Sequence, residues 1–268
     1  MPSVIPVLAL IVAATVALIV MALTYGNAER IDNYSIVDVA WCVNFSLITI
    51  VYAILSPAPL SQRLLMVGLI SLWSLRLAWH LHHRIKGKPE EGRYVELRRK
   101  WSVDGTDAFK KKMWGFYKLQ AYSNVFLSLP ILVACLNPRQ DISSPELTGV
   151  LIMLAAVIGE SSADFQLSRF KANPQNQGKV CEQGLWYYSR HPNYFFEWCF
   201  WVGLAIVSCD VGIIGIVGPI MALVMLYLLL KVTGVKATEN QNLRSKGEDY
   251  ERYQRSTSSF IPWFKKSN

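Results

Sequence analysis

The chain has 268 residues, of which 52% are hydrophobic and only 17% are charged, and its formal net charge is +8. Soluble globular proteins are rarely so rich in apolar residues and so poor in charged ones, so the composition excludes an ordinary soluble domain. The apolar residues form continuous runs, and a helix that crosses a bilayer takes about 20 residues, whereas a β-barrel would show alternation. We therefore predict an all-α polytopic membrane protein, with residues 1–268 in a single membrane domain.

The apolar runs predict seven membrane-spanning helices. In chain order they lie at about residues 4–23, 34–55, 64–84, 113–136, 145–172, 193–208 and 211–232. The first run is too long for the apolar core of a signal peptide and no basic segment precedes it, so we interpret it as a retained helix. After the last span, residues 239–253 predict an interfacial helix, and the FIPWF segment that follows suits the headgroup layer.

Basic residues predict the orientation of these helices. They concentrate in the loops 85–112 and 171–191 and in the C-terminal tail, whereas the loops 56–63, 137–145 and 209–211 hold at most one each. Because basic loops stay in the cytoplasm, we predict the N-terminus outside and the C-terminus in the cytoplasm. Topology thus explains the net charge. We expect the basic residues to attract anionic lipid headgroups, and we expect no nucleic-acid partner.

The five cysteines show no spacing that is typical of a metal site or of a disulfide framework. No histidine is spaced to complete a site beside the acidic residues of the fifth span. We therefore predict no metal.

Several ionisable residues lie within the predicted spans, all toward the cytoplasmic end. They are Asp38 in span two, Arg76, His80 and Arg84 on one face of span three, Glu160 and Asp164 in span five, and Glu197 in span six. A charge at the centre of a span costs about 2.5–3.5 kcal/mol on insertion scales and usually marks a functional site. Long basic side chains such as Arg84 and Arg169 reach the interface instead, but short carboxylates cannot. The carboxylates are therefore our candidate functional residues.

The residue types in the second half of the chain favour a cofactor. Glu160 and Asp164 have i, i+4 spacing, which places both on one helix face, and carboxylates accept hydrogen bonds from ribose hydroxyls and amides. Lys171, Lys179 and Arg190 surround a glycine-containing loop and would suit phosphates, although a loop on the cytoplasmic side is basic in any case. The chain has no GxGxxG and no P-loop motif, which argues against a Rossmann-type site.

The stretch GLWYYSRHPNYFFE, residues 184–197, is polar and aromatic although it lies between two apolar segments. It contains Arg190, His191, Asn193, Tyr194 and Glu197 within eight positions. A connection between two helices needs no such set of side chains. We interpret the stretch as the edge of a cofactor site at a membrane face.

Three segments of the second half carry a resemblance to a known family: ESSADFQLSRFK at 160–171, GLWYYSRHPNYFFE at 184–197 and YERYQRSTSSFIPW at 250–263. They resemble the steroid 5-alpha-reductase-like family of membrane proteins, and most closely its bacterial, functionally uncharacterised branch. The resemblance extends to DVAW at 38–41, LWSLRLAWHLHHR at 72–84 and EEGRY at 90–94. RHPNY alone is less specific, because C14-type sterol reductases and isoprenylcysteine methyltransferases share similar stretches.

The resemblance implies a seven-helix fold in which residues 138–268 bind NADPH on the cytoplasmic side. A lipophilic substrate would enter from the bilayer into a cavity formed by residues 1–137. By motif matching, the residues that would contact the cofactor are Glu160, Asp164, Lys171, Lys179, Arg190, His191, Asn193, Tyr194 and Glu197.

The chain departs from this family at the group that polarises the substrate carbonyl. The steroid enzymes use a Gln-Glu pair on span two and a tyrosine on span three. Here span two offers Asp38, and Leu81 stands where the tyrosine is expected, which argues against a 3-oxo-steroid substrate. Our hypothesis is that buried Asp38 is the catalytic acid, with His80 and Tyr94 as the alternatives.

We therefore expect an NADPH-dependent oxidoreductase that reduces an activated C=C bond of a steroid- or lipid-like enone by hydride transfer. Two alternatives stay open. One is an S-adenosylmethionine-dependent methyltransferase of the isoprenylcysteine type, and the other is a non-enzymatic lipid-binding protein on the same fold. The branch resemblance favours the bacterial inner membrane. The sequence predicts no particular oligomeric state.

Overall fold

The computed structural model describes residues 4–103 and 105–265, which are helical almost throughout and contain no β-strand. The chain divides into two compact units, Met1–Asp141 and Ile142–Asn268. The division falls close to the boundary at residue 137 that we predicted between a substrate half and a cofactor half. Whether the units act as one membrane domain stays a prediction.

The described residues of the N-terminal unit form six α-helices. They are α1 (Val4–Ile31), α2 (Ile36–Leu55), α3 (Leu60–Ile85), α4 (Gly92–Trp101), α5 (Thr106–Leu127) and α6 (Leu129–Cys135). Helix α1 buries Ala9, Ala13, Ala17 and Met21, one residue per turn, on a single face. Small side chains at this spacing let helices approach closely in a membrane, and α1 packs against α2 and α5.

The C-terminal unit contains the remaining α-helices of the described residues. They are α7 (Ser144–Ala172), α8 (Leu185–Tyr188), α9 (Pro192–Cys209), α10 (Val217–Tyr227), α11 (Val235–Lys246) and α12 (Glu248–Ser256). Helix α7 begins where the Ser143 hydroxyl accepts a hydrogen bond from the backbone N–H of Glu146 over 3.1 Å. The segment 239–253, which we predicted as an interfacial helix, is helical in α11 and α12, which are separated by Gly247 at φ +54°. Its place at the membrane interface stays a prediction.

Helices α7 and α9 pack tightly because glycines lie at their contact. A Cβ atom on Gly149 would lie 2.6 Å from the carbonyl oxygen of Gly203, and a Cβ on Gly203 would lie 2.7 Å from the carbonyl oxygen of Gly149. Further along, a Cβ on Gly159 would lie 2.4 Å from the ring of Phe196. The two helices that carry most of the predicted cofactor residues are thus held at close range.

Six helical stretches within residues 4–103 and 105–265 are long and apolar enough to cross a membrane. They are Val4–Ile31, Ile36–Leu55, Leu60–Ile85, Thr106–Cys135, Ser144–Ala172 and Ile213–Lys246. The prediction of an all-α polytopic membrane protein is therefore confirmed. The sixth predicted span corresponds to α9, which has 18 residues and is not among the six because Asn193 and Glu197 make its first turns polar. The seventh predicted span overlaps Ile213–Lys246, which is among them. The orientation of the helices stays a prediction.

Candidate functional site

The first candidate site is a buried hydrogen bond between a tyrosine and an aspartate in the N-terminal unit. The side chain of Tyr94 on α4 is fully buried, and its hydroxyl donates to Oδ1 of Asp38, in the first turn of α2, over 2.7 Å. Burial, and after it the neighbouring Asp38 carboxylate, raises the pKa of Tyr94 well above its ordinary value. The phenol is therefore a neutral hydrogen-bond donor held against a carboxyl group.

Hydrogen bonds hold the start of α4 against the start of α2. The backbone N–H of Glu91 donates to Ser35 Oγ over 2.9 Å, and the backbone N–H of Tyr34 donates to Glu90 Oε1 over 2.8 Å. Arg98 binds the other oxygen of Glu90 over 3.0 Å. These bonds fix the position of α4, and with it the position of Tyr94.

His80, the remaining catalytic alternative, lies on α3 and is half-buried. One turn further along α3, the Arg84 guanidinium donates to both carboxylate oxygens of Glu91, over 2.7 and 3.0 Å. The structure thus joins Asp38 and Tyr94 directly and places His80 on a helix that packs against α2.

The second candidate site is a polar cluster in the C-terminal unit, centred on Glu239 of α11. The Glu239 carboxylate accepts from Arg190 Nε over 2.7 Å, from Arg190 Nη2 over 3.1 Å and from His191 Nε2 over 3.0 Å. The Tyr250 hydroxyl and Gln254 Nε2 on α12 also donate to it, over 3.1 and 2.6 Å. We call these five residues the Glu239 cluster. It links the RHPNY segment to the C-terminal helices.

The backbone of the tail holds Arg190 as well. Arg190 Nη1 donates to the carbonyl oxygens of Gln254 and Thr257 over 2.9 and 2.5 Å, and its backbone N–H donates to Ser258 over 2.9 Å. We predicted that Arg190 contacts the cofactor. In the structure most of its donors serve the protein itself, and the prediction of a cofactor contact stays untested.

The surroundings of the buried His191 favour its neutral form. Burial lowers its pKa, and the hydrogen bond to Glu239 offsets part of this effect. Because a carboxylate can only accept, Nε2 carries the proton and Nδ1 is left as an acceptor. The ring stacks on Tyr194 with centroids 5.5 Å apart and planes 7° apart, and the Tyr194 hydroxyl lies 3.3 Å from Thr238 Oγ1.

Asp164 and Asn193 meet between α7 and α9. Asn193 Nδ2 lies 3.3 Å from Asp164 Oδ1 and donates to it. The side-chain oxygen of Asn193 is buried and has no hydrogen-bond partner among the residues that the structure describes. A buried acceptor without a donor costs free energy.

The four remaining predicted cofactor residues fall into two groups. Glu160 on α7 and Glu197 on α9 are buried, and Glu197 Oε1 accepts from the indole N–H of Trp201 over 2.9 Å. Lys171, at the end of α7, and Lys179, in the following loop, are exposed. The carboxylates therefore lie inside the C-terminal unit, and the lysines lie at its surface.

Metal ligation and disulfides add nothing to either site. Within residues 4–103 and 105–265, no group of three His, Cys, Asp or Glu side chains is arranged to hold a metal ion. All five cysteines are free thiols, and only Cys209 is exposed.

The family comparison covers both sites. A family model described as "Protein of unknown function (DUF1295)" matches residues 24–257. The chain belongs to the DUF1295 family. The match contains both the Asp38–Tyr94 pair and the Glu239 cluster, so both sites lie in the DUF1295 region. No curated protein and no solved structure matches the chain.

Glu239 is the main site residue that sequence reasoning missed. In the sequence it is one acidic residue in a polar tail, far from the RHPNY segment it binds. One signal was present: Tyr250 and Gln254 have i, i+4 spacing, which places both on one helix face, and Tyr253 lies beside them. Aromatic side chains on one face of a polar helix indicate that this face packs against something, but they do not identify the partner.

Proposed function

We propose that this DUF1295 protein is an NADPH-dependent membrane reductase that acts on an activated C=C bond of a steroid- or lipid-like enone. The observation that carries the proposal is the 2.7 Å hydrogen bond between Tyr94 and Asp38. When hydride reaches the β-carbon of an enone, negative charge develops on the carbonyl oxygen. A donor placed at that oxygen in a water-poor site stabilises the charge.

The Tyr94–Asp38 pair can supply such a donor. With Asp38 protonated, its O–H donates to the Tyr94 oxygen, and the phenol O–H is released to donate to a substrate carbonyl. Tyr94 can then pass the phenol proton to the enolate that hydride transfer forms, and the protonated Asp38 can return a proton to the Tyr94 oxygen, which leaves Asp38 as a carboxylate. Methyl transfer to a thiolate or carboxylate requires no such acid, so the pair favours reduction over the methyltransferase alternative.

The residues of the C-terminal unit fit NADPH. Glu160 and Asp164 are carboxylates that can accept from ribose hydroxyls, and the unsatisfied oxygen of Asn193 can accept from a hydroxyl or a carboxamide. The exposed Lys171 and Lys179 can bind phosphates. When bound, NADPH would supply the hydride. The Glu239 cluster would keep the RHPNY segment in place.

The steroid 5-alpha-reductase-like resemblance supports the same reaction class, and its bacterial branch leads us to propose the bacterial inner membrane as the location. The substrate would be lipophilic and drawn from the bilayer, because the helices of the N-terminal unit are apolar enough to lie in it.

The choice of cofactor can be tested without a known substrate. A ligand that binds only the folded state raises the unfolding midpoint, by an amount that grows with its concentration relative to Kd. We expect NADPH to raise the midpoint of the purified protein in detergent and S-adenosylmethionine to leave it unchanged. Protection by S-adenosylmethionine alone would favour the methyltransferase. Protection by neither would favour a non-enzymatic protein.

The role of the acid pair is tested by Tyr94→Phe, with Tyr117→Phe as the matched control. Both tyrosines are fully buried, but the Tyr117 hydroxyl donates to the backbone carbonyl of Tyr34 rather than to an acid. The loss of one oxyanion donor lowers turnover about 10²–10³-fold in other enzymes. We expect a loss of this size for Tyr94→Phe, and turnover close to wild type for Tyr117→Phe, measured as NADPH oxidation with enone-containing lipid extracts.

Asp38→Asn completes this test. We expect it to abolish turnover while NADPH affinity, measured by the same unfolding shift, stays near wild type. Normal turnover in both Tyr94→Phe and Asp38→Asn would contradict the proposed role of the pair, even if NADPH binds.

A further inference from the structure

An open cavity of about 540 Å³ is lined by Arg190 and by residues of the C-terminal tail, and we call it the tail cavity. This volume falls within the range of about 300–1,000 Å³ that is common for small-molecule sites. Its lining combines one exposed arginine, hydroxyl side chains and large apolar side chains. The lining residues that matter here are Arg255, Ser258, Ser259, Ile261, Trp263 and Phe264.

The tail is fixed in place by backbone hydrogen bonds. The backbone N–H of Arg190 donates to the carbonyl of Ser258, and the backbone N–H of Trp263 donates to the carbonyl of Tyr188, both over 2.9 Å. The tail therefore runs alongside the GLWYYSR segment. The backbone that lines the tail cavity is thus anchored at Ser258 and Trp263.

Arg255 supplies positive charge to the tail cavity. It has no ion pair with any residue in 4–103 or 105–265. Its neighbour Arg252, on the same helix, pairs with Glu182 over 3.5 Å, and Arg190 in the cavity wall is neutralised by Glu239. Arg255 is thus the cavity residue whose charge is left for a ligand.

Two hydroxyl groups accompany this charge. Ser258 and Ser259 are half-buried, and neither side chain has a hydrogen-bond partner in the part of the chain that the structure describes. A guanidinium together with hydroxyl donors is the combination that binds phosphate oxygens.

The rim of the tail cavity is apolar and exposed. The exposed fractions of Ile261, Trp263 and Phe264 are 56%, 68% and 75%. Aromatic side chains of this kind are typical of the membrane–water interface, where their apolar part contacts the upper acyl region. A ligand that is anionic at one end and apolar at the other would pair with Arg255 and the serine hydroxyls and would also contact the apolar rim.

We propose that the tail cavity binds the phosphate of an anionic membrane phospholipid. The phosphate would pair with Arg255 and accept from the hydroxyls of Ser258 and Ser259, while the glycerol and acyl chains lie against Trp263 and Phe264. Of the predicted cofactor residues only Arg190 lines the tail cavity, and its charge is taken by Glu239. The proposal therefore holds whether or not the protein is a reductase.

The test compares lipids and variants in the full-length purified protein. Phosphatidylglycerol in mixed micelles should raise the unfolding midpoint, and phosphatidylcholine, whose phosphate is compensated by its own choline cation, should raise it less. Because a charge-assisted hydrogen bond is lost, Arg255→Gln should weaken phosphatidylglycerol binding about tenfold. Ser259→Ala should weaken it less. Arg252→Gln is the matched control, since it removes the same charge from the same helix outside the cavity.

Native mass spectrometry of the same samples should show phosphatidylglycerol retained by wild type and by Arg252→Gln, and lost from Arg255→Gln. An equal loss in both arginine variants would mean diffuse attraction to surface charge and would overturn the proposal. A shift produced by inorganic phosphate or NADPH, and removed by Arg255→Gln, would overturn it too, because the phosphate would then come from a source other than a lipid.

Discussion

At the scale of single residues, Glu239 shows how a carboxylate determines what an arginine can do. The side chains of Arg190 and Glu239 are only 9% and 14% exposed. A surface ion pair contributes about 0–1 kcal/mol, whereas removal of one partner from a buried pair costs about 3–5 kcal/mol, because an uncompensated charge is left behind. Arg190 can remain buried because Glu239 neutralises it.

We therefore expect Glu239→Gln to destabilise the fold by about 3 kcal/mol, near the lower end of that range because the pair is not fully buried. The substitution leaves the guanidinium of Arg190 without a counter-charge. The measurement is the free energy of unfolding by denaturant in detergent. Glu251→Gln, which changes an exposed residue on α12, should alter stability by less than about 0.5 kcal/mol. If the two variants were equally stable, the carboxylate would not hold the cluster together.

The sequence identified candidate site residues better than it identified their partners. Asp38 was identifiable because a short carboxylate in an apolar span is costly, and Tyr94 because EEGRY is part of a family resemblance. We treated them as alternatives, whereas the structure joins them by a hydrogen bond. Their pairing depends on how α4 is tied to α2 by backbone bonds to Ser35 and Glu90, and these tertiary contacts have no signature in the sequence.

At the scale of elements, the hydrophobic runs marked where helices lie in the membrane and not where they end. We predicted the first span to end near residue 23 and the fourth to begin near residue 113, but α1 continues to Ile31 and α5 begins at Thr106. A helix satisfies its own backbone hydrogen bonds in water as well as in lipid, so it extends past the apolar run until a cap or turn stops it. Gly105, at φ +97°, provides such a turn before α5.

The contact between α7 and α9 leads to a prediction about packing. A methyl group on Gly203 would collide with backbone on α7, which cannot move aside as a flexible side chain can. We expect Gly203→Ala to cost about 1–3 kcal/mol, the usual range for overpacking, and to lower the unfolding midpoint.

Gly68→Ala is the control for this prediction. Gly68 lies within α3, and nothing lies within 4 Å of a Cβ placed there, so alanine should be neutral or slightly stabilising through its helix propensity. If both variants lowered the midpoint equally, the effect would come from glycine replacement in general and not from the contact between α7 and α9.

At the scale of the whole molecule, the number of crossings determines on which sides of the membrane the segments after α7 lie. Helix α9 has 18 residues, and at about 1.5 Å per residue it is about 27 Å long, close to the roughly 30 Å of a hydrocarbon core. Its first turns are polar, but residues 199–209 are almost entirely apolar. If α9 crosses, then with the N-terminus outside the connection after it is outside as well, and the basic tail is cytoplasmic, as the distribution of Lys and Arg predicts.

Cysteine labelling decides whether α9 crosses the membrane or not. Cys209 ends α9 and is the exposed native cysteine, and Ser245 is exposed on α11. We expect a membrane-impermeant maleimide to label Cys209 in intact cells. We expect Ser245→Cys, made in a Cys209→Ala background, to react only after the cells are permeabilised. If α9 did not cross, both positions would change sides, because the span that follows would then run the other way. Labelling of Ser245→Cys from outside, together with protection of Cys209, would therefore contradict the seven-helix topology.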